Sequence, residues 1–486
     1  MLYSFLLALL AFVLFLVARA VYFSRRIAVE PIDNPLPVNV LDAAHRLGKV
    51  IQFKTISQQR VADIDGDEFR NMHSWLEEAF PLVHQKLEKE VINEFSLLFK
   101  WGGEKSKKKP IMLTCHLDVV PVEPGTEDDW EYPPFDGKVT DEHIYGRGTM
   151  DVQSGVMAIL EAVEHLLERG FEPDRTIYLG FGHDEEIDGE FGASEISRIL
   201  ESRGVELEYL LDEGLPVVDE LIEGIKSPVA LVAVAEKGFL SVELTVESEG
   251  GHSSVPQGKT AIAILSEAIS RLENNPMPAK FDGLIKSTLT SLCAVVPYSL
   301  RLFVANLWLF KGAIKRVLSN IPTTNATLRT TTATTIFESG MKDNLIPTVA
   351  KSVVNFRIHP NDSVDSVLKH VKRTIENDKV QIRALNGYID PSSVSDMKSD
   401  SFRQLRISIR QIFPNVCVSP TLMTGATDAR HYTNLTSNIY RFSPLRAAHD
   451  DIDRVHGTNE RISIENYGEM IQFYAQVIQN SAGSGD

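Results

Sequence analysis

Residues 111–118 read Ile-Met-Leu-Thr-Cys-His-Leu-Asp, an apolar run that ends on a histidine, with an acid two residues further on. The run predicts a strand, and two further apolar strands, at 176–181 and 209–211, also lead directly to acidic side chains. Helices predicted at 155–169 and 193–202 separate the three strands. Strands that alternate with helices predict a mostly parallel α/β sheet. Such sheets bind ligands beyond the carboxyl ends of their strands, so the three strand ends are expected to form one site.

The candidate site residues are histidines and carboxylates in five short motifs beside apolar segments. In chain order they are His116 and Asp118, Asp151, the pair Glu185 and Glu186, Asp212, and His456. One histidine or carboxylate alone is usually solvated or structural. Together they supply the imidazole and carboxylate ligands that one or two zinc ions prefer.

A two-metal hydrolase needs a carboxylate that bridges both ions, further ligands for each ion, and a base. Asp151 is predicted to be the bridge, because a short carboxylate at the start of a helix reaches both ions. In the pair Glu185-Glu186, one carboxylate can bind metal while its neighbour acts as general base. Asp118 is predicted to orient the imidazole of His116.

The sequence disfavours a disulfide framework, a cysteine nucleophile and a nucleic-acid partner. The chain has three cysteines, too few and too scattered for a disulfide framework. Cys115 is a candidate nucleophile beside His116, but alternation along a strand turns the two side chains to opposite faces and favours a small buried hydrophobe. The net charge of −17 argues against nucleic acid as a partner, and the basic run at 105–109 is interpreted as a solvated turn.

The N-terminus carries an apolar run at residues 2–17, followed by arginines. Its length lies between that of a signal-peptide core and that of a membrane span. Residues 1–26 are therefore predicted to be a signal peptide or a signal anchor, which leads into the secretory pathway and leaves the protein either secreted or membrane-anchored. Three N-x-S/T sequons fit this route. They lie at Asn325, Asn361 and Asn434.

A second pattern begins near residue 236. The predicted order β-α-β-β-α-β over 236–390 is the ferredoxin-like arrangement, and we interpret it as a domain inserted into another. The surrounding domain then comprises 27–235 and 391–486. An apolar stretch at 289–310 is interrupted by Pro and Arg, which argues against a membrane span. Two interpretations of it stay open: buried packing, or an acyl-chain wall or membrane-surface flap.

Six motifs carry a family resemblance. They are His-Leu-Asp-Val-Val-Pro, Tyr-Gly-Arg-Gly-Thr-Met-Asp, Gly-His-Asp-Glu-Glu, Asp-Glu-Gly, Gly-Gly-His-Ser-Ser-Val-Pro and His-Gly-Thr-Asn-Glu. The chain resembles, over nearly its whole length after the N-terminal segment, the di-zinc family of aminoacylase, carboxypeptidase S and carboxypeptidase G, of peptidase M20 type. The resemblance implies a zinc-hydrolase domain whose inserted domain acts as a lid or pairs two chains in a homodimer. It also implies two zinc ions, with five ligands: His116, Asp151, Glu186, Asp212 and His456.

The same resemblance assigns the remaining roles. Glu185 is the implied base, Asp118 supports His116, and His252 of the inserted domain stabilises the oxyanion. The substrate's free carboxylate is implied to bind to Arg357, Asn344 and the backbone of Gly425. His449 competes with His456 for the last ligand position, but the family motif is at His456.

Three further stretches are Leu-Arg-Thr-Thr-Thr-Ala at 328–333, Val-Asn-Phe-Arg-Ile-His-Pro at 354–360 and Asn-Leu-Trp-Leu-Phe at 306–310. They resemble most the branch of the family that forms and hydrolyses N-fatty-acyl amino acids. This resemblance implies reversible hydrolysis and condensation of N-acyl amino acids, with a preference for long acyl chains and contact with lipid or a membrane surface. A carboxypeptidase or dipeptidase that acts on peptides is the alternative enzyme. A catalytically inactive binding relative is the alternative outside enzymes, and the full set of ligand motifs argues against it.

Overall fold

The computed structural model describes residues 1–24, 32, 35–60, 63–102, 107–220, 227–256 and 258–483, without the side chains of residues 449, 450 and 452. The end of the predicted N-terminal segment at residue 26 and part of the basic run at 105–109 therefore lie outside the described residues. The Ser/Gly-rich composition after residue 480 predicts a disordered tail, but the chain is helical as far as Ala482, and residues 484–486 are not described.

The described residues form the following strands. They are β1 (Glu88–Ile92), β2 (Ser96–Trp101), β3 (Ile111–His116), β4 (His143–Tyr145), β5 (Ile177–Gly182), β6 (Tyr209–Val218), β7 (Val229–Glu236), β8 (Gly238–Glu247), β9 (Gly251–His252), β10 (Thr331–Ser339), β11 (Leu345–Ile346), β12 (Val349–Ile358), β13 (Val380–Ala384), β14 (Cys417–Met423), β15 (Ile439–Ala447) and β16 (Arg461–Ser463).

The helices complete the architecture. They are α1 (Leu2–Phe23), α2 (Val40–Ile51), α3 (Gly66–Ala79), α4 (Pro81–Lys86), α5 (Gln153–Glu168), α6 (Ala193–Ser202), α7 (Ala261–Asn274), α8 (Gly283–Leu292), α9 (Tyr298–Val304), α10 (Leu307–Ser319), α11 (Pro322–Leu328), α12 (Val364–Ile375), α13 (Asp400–Ile412) and α14 (Ile464–Ala482). Short 3₁₀ helices lie at Glu127–Asp129, Glu185–Ile187, Asp428–Tyr432 and His449–Arg454.

An eight-stranded sheet forms the larger domain, in the order β1-β2-β5-β3-β6-β15-β7-β14. Strands β5, β3, β6 and β15 pair in parallel at its centre, and β7 pairs in parallel with β14. The central strand β3 is buried along its whole length, as expected of a parallel strand with both faces covered. The mostly parallel α/β class predicted from the sequence is therefore confirmed.

A second sheet of four strands lies between Gly238 and Ala384, in the order β10-β12-β8-β13, with all pairs antiparallel. Helices α7 and α12 pack together against it, around a core of its own. The chain order β8-α7-β10-β12-α12-β13 and the sheet order match the ferredoxin-like arrangement. Four further helices, α8 to α11, are added between α7 and β10.

One predicted strand is two strands in the structure. The apolar pattern of residues 91–100 predicts one continuous strand, but β1 and β2 form an antiparallel hairpin across it. Asn93 and Glu94 make the turn with φ angles of 46° and 70°. Asparagine tolerates this left-handed region better than most residues, so the chain reverses there although its apolar pattern continues.

Helix α1 is the one helix within the described residues that is long and apolar enough to cross a membrane. Its first half is exposed, while Leu16 and Ala20 are buried. The buried side chains pack beside α9, and Ala20 shares a small core with Cys293 and Ala305. The N-terminal segment is thus in contact with the helices added to the smaller sheet.

Candidate metal centre

The predicted ligands converge at the carboxyl edge of the central parallel strands. His116 is the last residue of β3, and Glu185 begins the 3₁₀ helix that follows β5. Asp151 lies two residues ahead of α5, and Asp212 lies within β6. Parallel strands place their carboxyl ends at one edge of the sheet, so the topology alone brings these three chain segments together there.

Asp151 has the geometry of a bridging carboxylate. Its Oδ1 lies 3.1 Å from Nε2 of His116, and its Oδ2 lies 3.0 Å from Nε2 of His456. Nε2 of His456 is also 3.2 Å from Oε2 of Glu186. Each oxygen of Asp151 therefore faces a different histidine, as two adjacent metal ions would require.

Three groups of side chains within the described residues have ligand atoms within 4.8 Å of one another. They are His116 with Glu185 and Glu186, His116 with Asp151 and Glu213, and Asp151 with Glu186 and His456. Four of the five predicted ligands are among them. Glu213 is the additional carboxylate, and its Oε1 lies 3.5 Å from Nε2 of His116.

Asp212 is the predicted ligand that does not join these groups. Its Oδ1 accepts a hydrogen bond from the backbone N–H of Glu213 at 2.9 Å, and its Oδ2 accepts one from the backbone N–H of Ala429 at 2.8 Å. Successive side chains of a strand point to opposite sides, so only one member of this pair can face the histidines. In the structure Glu213 rather than Asp212 faces His116, so Asp212 stays a prediction from the sequence and Glu213 is the alternative ligand that the geometry offers.

Asp118 contacts both His116 and the segment that carries the base. Nδ1 of His116 lies 2.9 Å from the backbone oxygen of Asp118 and 3.4 Å from its Oδ1. The carboxylate of Asp118 also accepts hydrogen bonds from the backbone N–H groups of Glu185 and Glu186, each at 3.2 Å. It is thus placed to fix the ring of His116 and the start of the 3₁₀ helix at once.

The electrostatics of the centre fit divalent cations. Burial and the neighbouring carboxylates raise the pKa of Glu185 well above its ordinary value. Hydrogen bonds to Asp151 and Glu186 raise the pKa of His456 to about 10. Oε1 of Glu186 is buried without a hydrogen-bond partner. Such crowded carboxylates need positive charge beside them, and the imidazole and carboxylate donors are those of zinc.

Glu460 was not assigned from the sequence, although it stands in the same motif as His456. It is fully buried, and its Oε1 accepts hydrogen bonds from the backbone N–H groups of Gly148, Met150 and Asp151 at 2.7–3.1 Å. Its Oε2 accepts a hydrogen bond from Arg147 at 2.8 Å. Glu460 therefore holds the loop that presents the bridging carboxylate.

Arg147 joins that loop to the segment that carries His456. Its Nη2 donates hydrogen bonds to the backbone oxygens of His456 and Gly457 at 3.2 and 3.1 Å. Its guanidinium lies 5.3 Å from the centre of the Trp130 ring. The bridge and the last histidine are thus positioned by one buried ion pair between Arg147 and Glu460.

Glu236, at the end of β7, is a second buried acid that the sequence analysis did not single out. It accepts hydrogen bonds from the backbone N–H and the hydroxyl of Thr427, each at 2.8 Å, and from Arg441 at 2.8 Å. Thr427 lies two residues before Ala429, whose N–H holds Asp212. This network connects the junction between β7 and β8, where the chain passes from the larger sheet to the smaller one, to β6.

A cleft of about 910 Å³ opens beside the metal centre. Glu185, Glu186 and His456 line it together with two predicted carboxylate-binding residues, Arg357 and Gly425. The guanidinium of Arg357 lies 5.0 Å from the centre of the Phe239 ring. A positively charged, planar donor and the candidate base therefore share one cavity.

His252 and Asn344 lie close together, and neither of them lines this cleft. His252 is exposed on β9, which pairs with β11 next to Asn344, and the backbone N–H of Ser253 donates to the backbone oxygen of Asn344 at 3.1 Å. His252 lines a cavity of about 620 Å³ whose walls include none of the candidate ligands. The structure does not bring these two residues to the metal centre of the same chain.

The two alternatives left by the sequence have different outcomes. Cys115 is buried in the core, and burial raises the pKa of its thiol well above the ordinary value, which opposes a role as nucleophile. The side chain of His449, the rival ligand, lies outside the described residues. His456 contacts both Asp151 and Glu186.

The sequence and the fold were compared with known proteins. The family described as peptidase family M20/M25/M40 matches residues 112–480. The chain is 43% identical over 458 residues to “Probable carboxypeptidase S-like 2” of Dictyostelium discoideum, which covers 93% of this chain and 87% of that protein. It is 42% identical over 412 residues to “N-fatty-acyl-amino acid synthase/hydrolase PM20D1” of Homo sapiens, which covers 84% of this chain and 81% of that one.

Solved structures share the fold. The M20 family metallo-carboxypeptidase Sso-CP2 of Sulfolobus solfataricus superposes with a TM-score of 0.65 at 19% identity, covering 91% of this chain and 99% of that one. Human carnosine dipeptidase 1 superposes with a TM-score of 0.60 at 15% identity, covering 92% and 99%. At these identities the likeness concerns the architecture of the two domains and not the substrate.

Proposed function

The chain belongs to peptidase family M20/M25/M40, and from that premise we propose that it is a di-zinc amidohydrolase acting reversibly on N-fatty-acyl amino acids. The observation that carries the proposal is the shared cleft, which Arg357 lines together with Glu185, Glu186 and His456. A guanidinium suits the free carboxylate of an amino acid, and the amide to be cleaved then lies on the side of the base.

The metal ligands in this proposal are His116, Asp151, Glu186, Glu213 and His456, with Glu213 in place of Asp212. When bound, two zinc ions supply Lewis-acid activation of the amide carbonyl and of the attacking water. The chain's own residues do the rest. Glu185 takes the proton from the water as its oxygen adds to the carbonyl carbon, and returns that proton to the amine nitrogen as the C–N bond breaks. Condensation runs the same steps in reverse.

Two relatives support different acyl groups for this site. The human synthase/hydrolase supports a fatty-acyl group, and the carboxypeptidase S-like protein supports a peptidyl group. The exposed apolar helices α9 and α10 favour the fatty-acyl substrate, because a peptide needs no such surface. A carboxypeptidase or dipeptidase is therefore the second candidate.

A substrate panel distinguishes the two candidates. We expect zinc-loaded protein to hydrolyse oleoyl-phenylalanine with a kcat/KM at least about tenfold above that for Gly-Leu, which corresponds to about 1.4 kcal/mol of differential transition-state binding. Release of phenylalanine or leucine is followed by amine detection. Arg357→Gln serves as a matched variant, since it should weaken both substrates equally. Faster turnover of the dipeptide would overturn the fatty-acyl assignment and favour the peptidase.

We propose that His252 and Asn344 complete the cleft of a second copy of the chain. Neither residue lines the cleft of its own chain, which motivates this proposal, because an oxyanion donor must lie within hydrogen-bond distance of the reacting carbonyl. Closure of the inserted domain within one chain is the competing explanation, and the two make different predictions for mixed dimers.

Co-expression of Glu185→Gln and His252→Ala chains, each inactive alone, tests this. If His252 acts on the partner's cleft, a statistical mixture regains about a quarter of wild-type activity, because half of the dimers carry one intact cleft. Differently tagged chains allow the mixed dimer to be purified and assayed. Recovery of no activity in the purified mixed dimer, or a monomeric active enzyme, would reject the shared site.

A further inference from the structure

The N-terminal helix α1 is joined to helices α9 and α10 by specific contacts. Nδ2 of Asn306 donates to the backbone oxygen of Leu16 at 3.1 Å, and Nη2 of Arg19 donates to the backbone oxygen of Ala305 at 3.2 Å. The rings of Phe12 and Trp308 meet edge to face, with their centres 6.2 Å apart. Polar and aromatic contacts of this kind position the helix against the folded chain.

Helices α9 and α10 expose a row of large apolar side chains beside α1, which we call the platform face. Its members are Tyr298, Leu300, Phe303, Trp308, Leu309 and Val317, each between 42% and 60% exposed. The exposed first half of α1 continues this surface through the Phe12–Trp308 contact. Several large apolar side chains exposed on neighbouring helices are typical of an interaction site.

The segment that carries the platform face differs in charge from the rest of the chain. Residues 283–328 contain five basic residues and no acidic residue, in a chain whose net charge is −17. Lys286, Lys311 and Arg19 line one cavity together with Trp308, at the junction of α1 with α8 and α10. Basic side chains beside an aromatic ring are the arrangement that suits anionic lipid head groups.

The length of α1 adds a geometric constraint. From Leu16 onward the helix lies against α9 and α10, whereas residues 2–15, the free part of α1, are exposed except where Phe12 meets Trp308. Fourteen helical residues span about 21 Å, whereas a bilayer's hydrocarbon core is about 30 Å thick. The free part of α1 can cross the core only if the helices packed against its second half also lie at the level of the lipid.

We propose that α1 is retained as an anchor and that the platform face lies on an anionic lipid bilayer, with Arg19, Lys286 and Lys311 at the head groups. Arg19 has its guanidinium 5.3 Å from the centre of the Phe23 ring on the same helix, an arrangement that suits a side chain at the edge of the hydrocarbon. This position on the bilayer, which we call the seat, places α8 to α11 between lipid and the larger domain.

This seat lies next to the catalytic cleft. Helix α8 packs against β14, with the Thr288 hydroxyl donating to the backbone oxygen of Pro420 at 2.7 Å. Lys237, which lines the cleft, donates from Nζ to the backbone oxygens of Ala326 and Arg329, each at 2.9 Å, at the end of α11. Fatty-acyl substrates dissolved in the bilayer would then reach the cleft along these helices. This consequence rests on the proposed function, whereas the position of the protein on the bilayer does not depend on it.

Fluorescence quenching by lipid tests the seat without any assay of catalysis. The full chain is reconstituted through α1 into nanodiscs containing phosphatidylserine and lipids with a spin label near the head group. We expect quenching of tryptophan emission that disappears in Trp308→Phe, because the other tryptophans are more buried. Lys286→Gln/Lys311→Gln should reduce the quenched fraction, since each basic residue near an anionic surface contributes about a fivefold preference for it.

Each outcome decides the proposal. Equal quenching in the parent protein and Trp308→Phe, or equal quenching with and without phosphatidylserine, would overturn it. So would a mature protein whose N-terminus begins after residue 24, as read by mass spectrometry. Protection of Trp308 by self-association, detected by sedimentation at increasing protein concentration in detergent, would assign the platform face to a second copy of the chain instead.

Discussion

Glu185→Gln is expected to lower kcat for amide hydrolysis by about a thousandfold while two zinc ions stay bound, because a general base commonly contributes 10²–10⁴-fold. The amide of glutamine keeps the shape of the side chain but cannot accept the proton from the attacking water. Burial and the surrounding carboxylates raise the pKa of Glu185.

The matched control for this variant is Glu190→Gln, five residues along the chain and exposed. Both variants are assayed for oleoyl-phenylalanine hydrolysis and for metal content by mass spectrometry. Hydrolysis should be lost only in Glu185→Gln, with the KM little changed, because Arg357 and not the base binds the free carboxylate. An active Glu185→Gln enzyme would mean that another group removes the proton.

The general position of the site could be predicted from the sequence because it follows from the topology. His116 ends β3, Glu185 follows β5, and Asp212 follows the apolar first residues of β6. Parallel strands place their carboxyl ends at the same edge of a sheet. The short motifs then identified the side chains. Neither step required knowledge of side-chain packing.

The supporting residues could not be predicted in the same way. Glu460 and Glu236 act through backbone N–H groups of loops far away in sequence, and nothing in their own neighbourhood indicates which loop they hold. Glu460 stood in a recognised motif, which was the one available signal. His252 and Asn344 also show the limit, because a family motif gives a role but not the chain on which the residue acts.

Local irregularity explains why the choice between Asp212 and Glu213 was difficult. The pairing of β6 with β15 shifts register beside Asp212. Gly214 follows directly with a φ of 158°, and a Cβ there would lie 2.7 Å from the backbone of Arg441. Alternation in a strand states that neighbours point to opposite sides, but it does not state which side is the site.

Glu213→Gln is therefore expected to lose one of the two zinc ions and to lower activity by at least about a hundredfold, whereas Asp212→Asn should keep both ions. Glu213 faces Nε2 of His116 within 3.5 Å, so its loss removes a charged ligand. Asp212 instead accepts from two backbone N–H groups, and asparagine offers only one oxygen to them. Its substitution should lower the free energy of unfolding by about 1–3 kcal/mol.

Metal content by mass spectrometry and thermal unfolding of the metal-free and zinc-loaded forms separate these two effects. Zinc should raise the Tm of Asp212→Asn as much as that of the parent protein. It should raise the Tm of Glu213→Gln less, because a protein that binds zinc more weakly is stabilised less by it. Glu201→Gln, an exposed acid on α6, is the control and should match the parent in both measurements. The reverse pattern, with zinc lost in Asp212→Asn and kept in Glu213→Gln, would restore Asp212 as the ligand. It would also require β6 to turn its side chains over when metal binds, since both oxygens of Asp212 are engaged by backbone N–H groups in the structure.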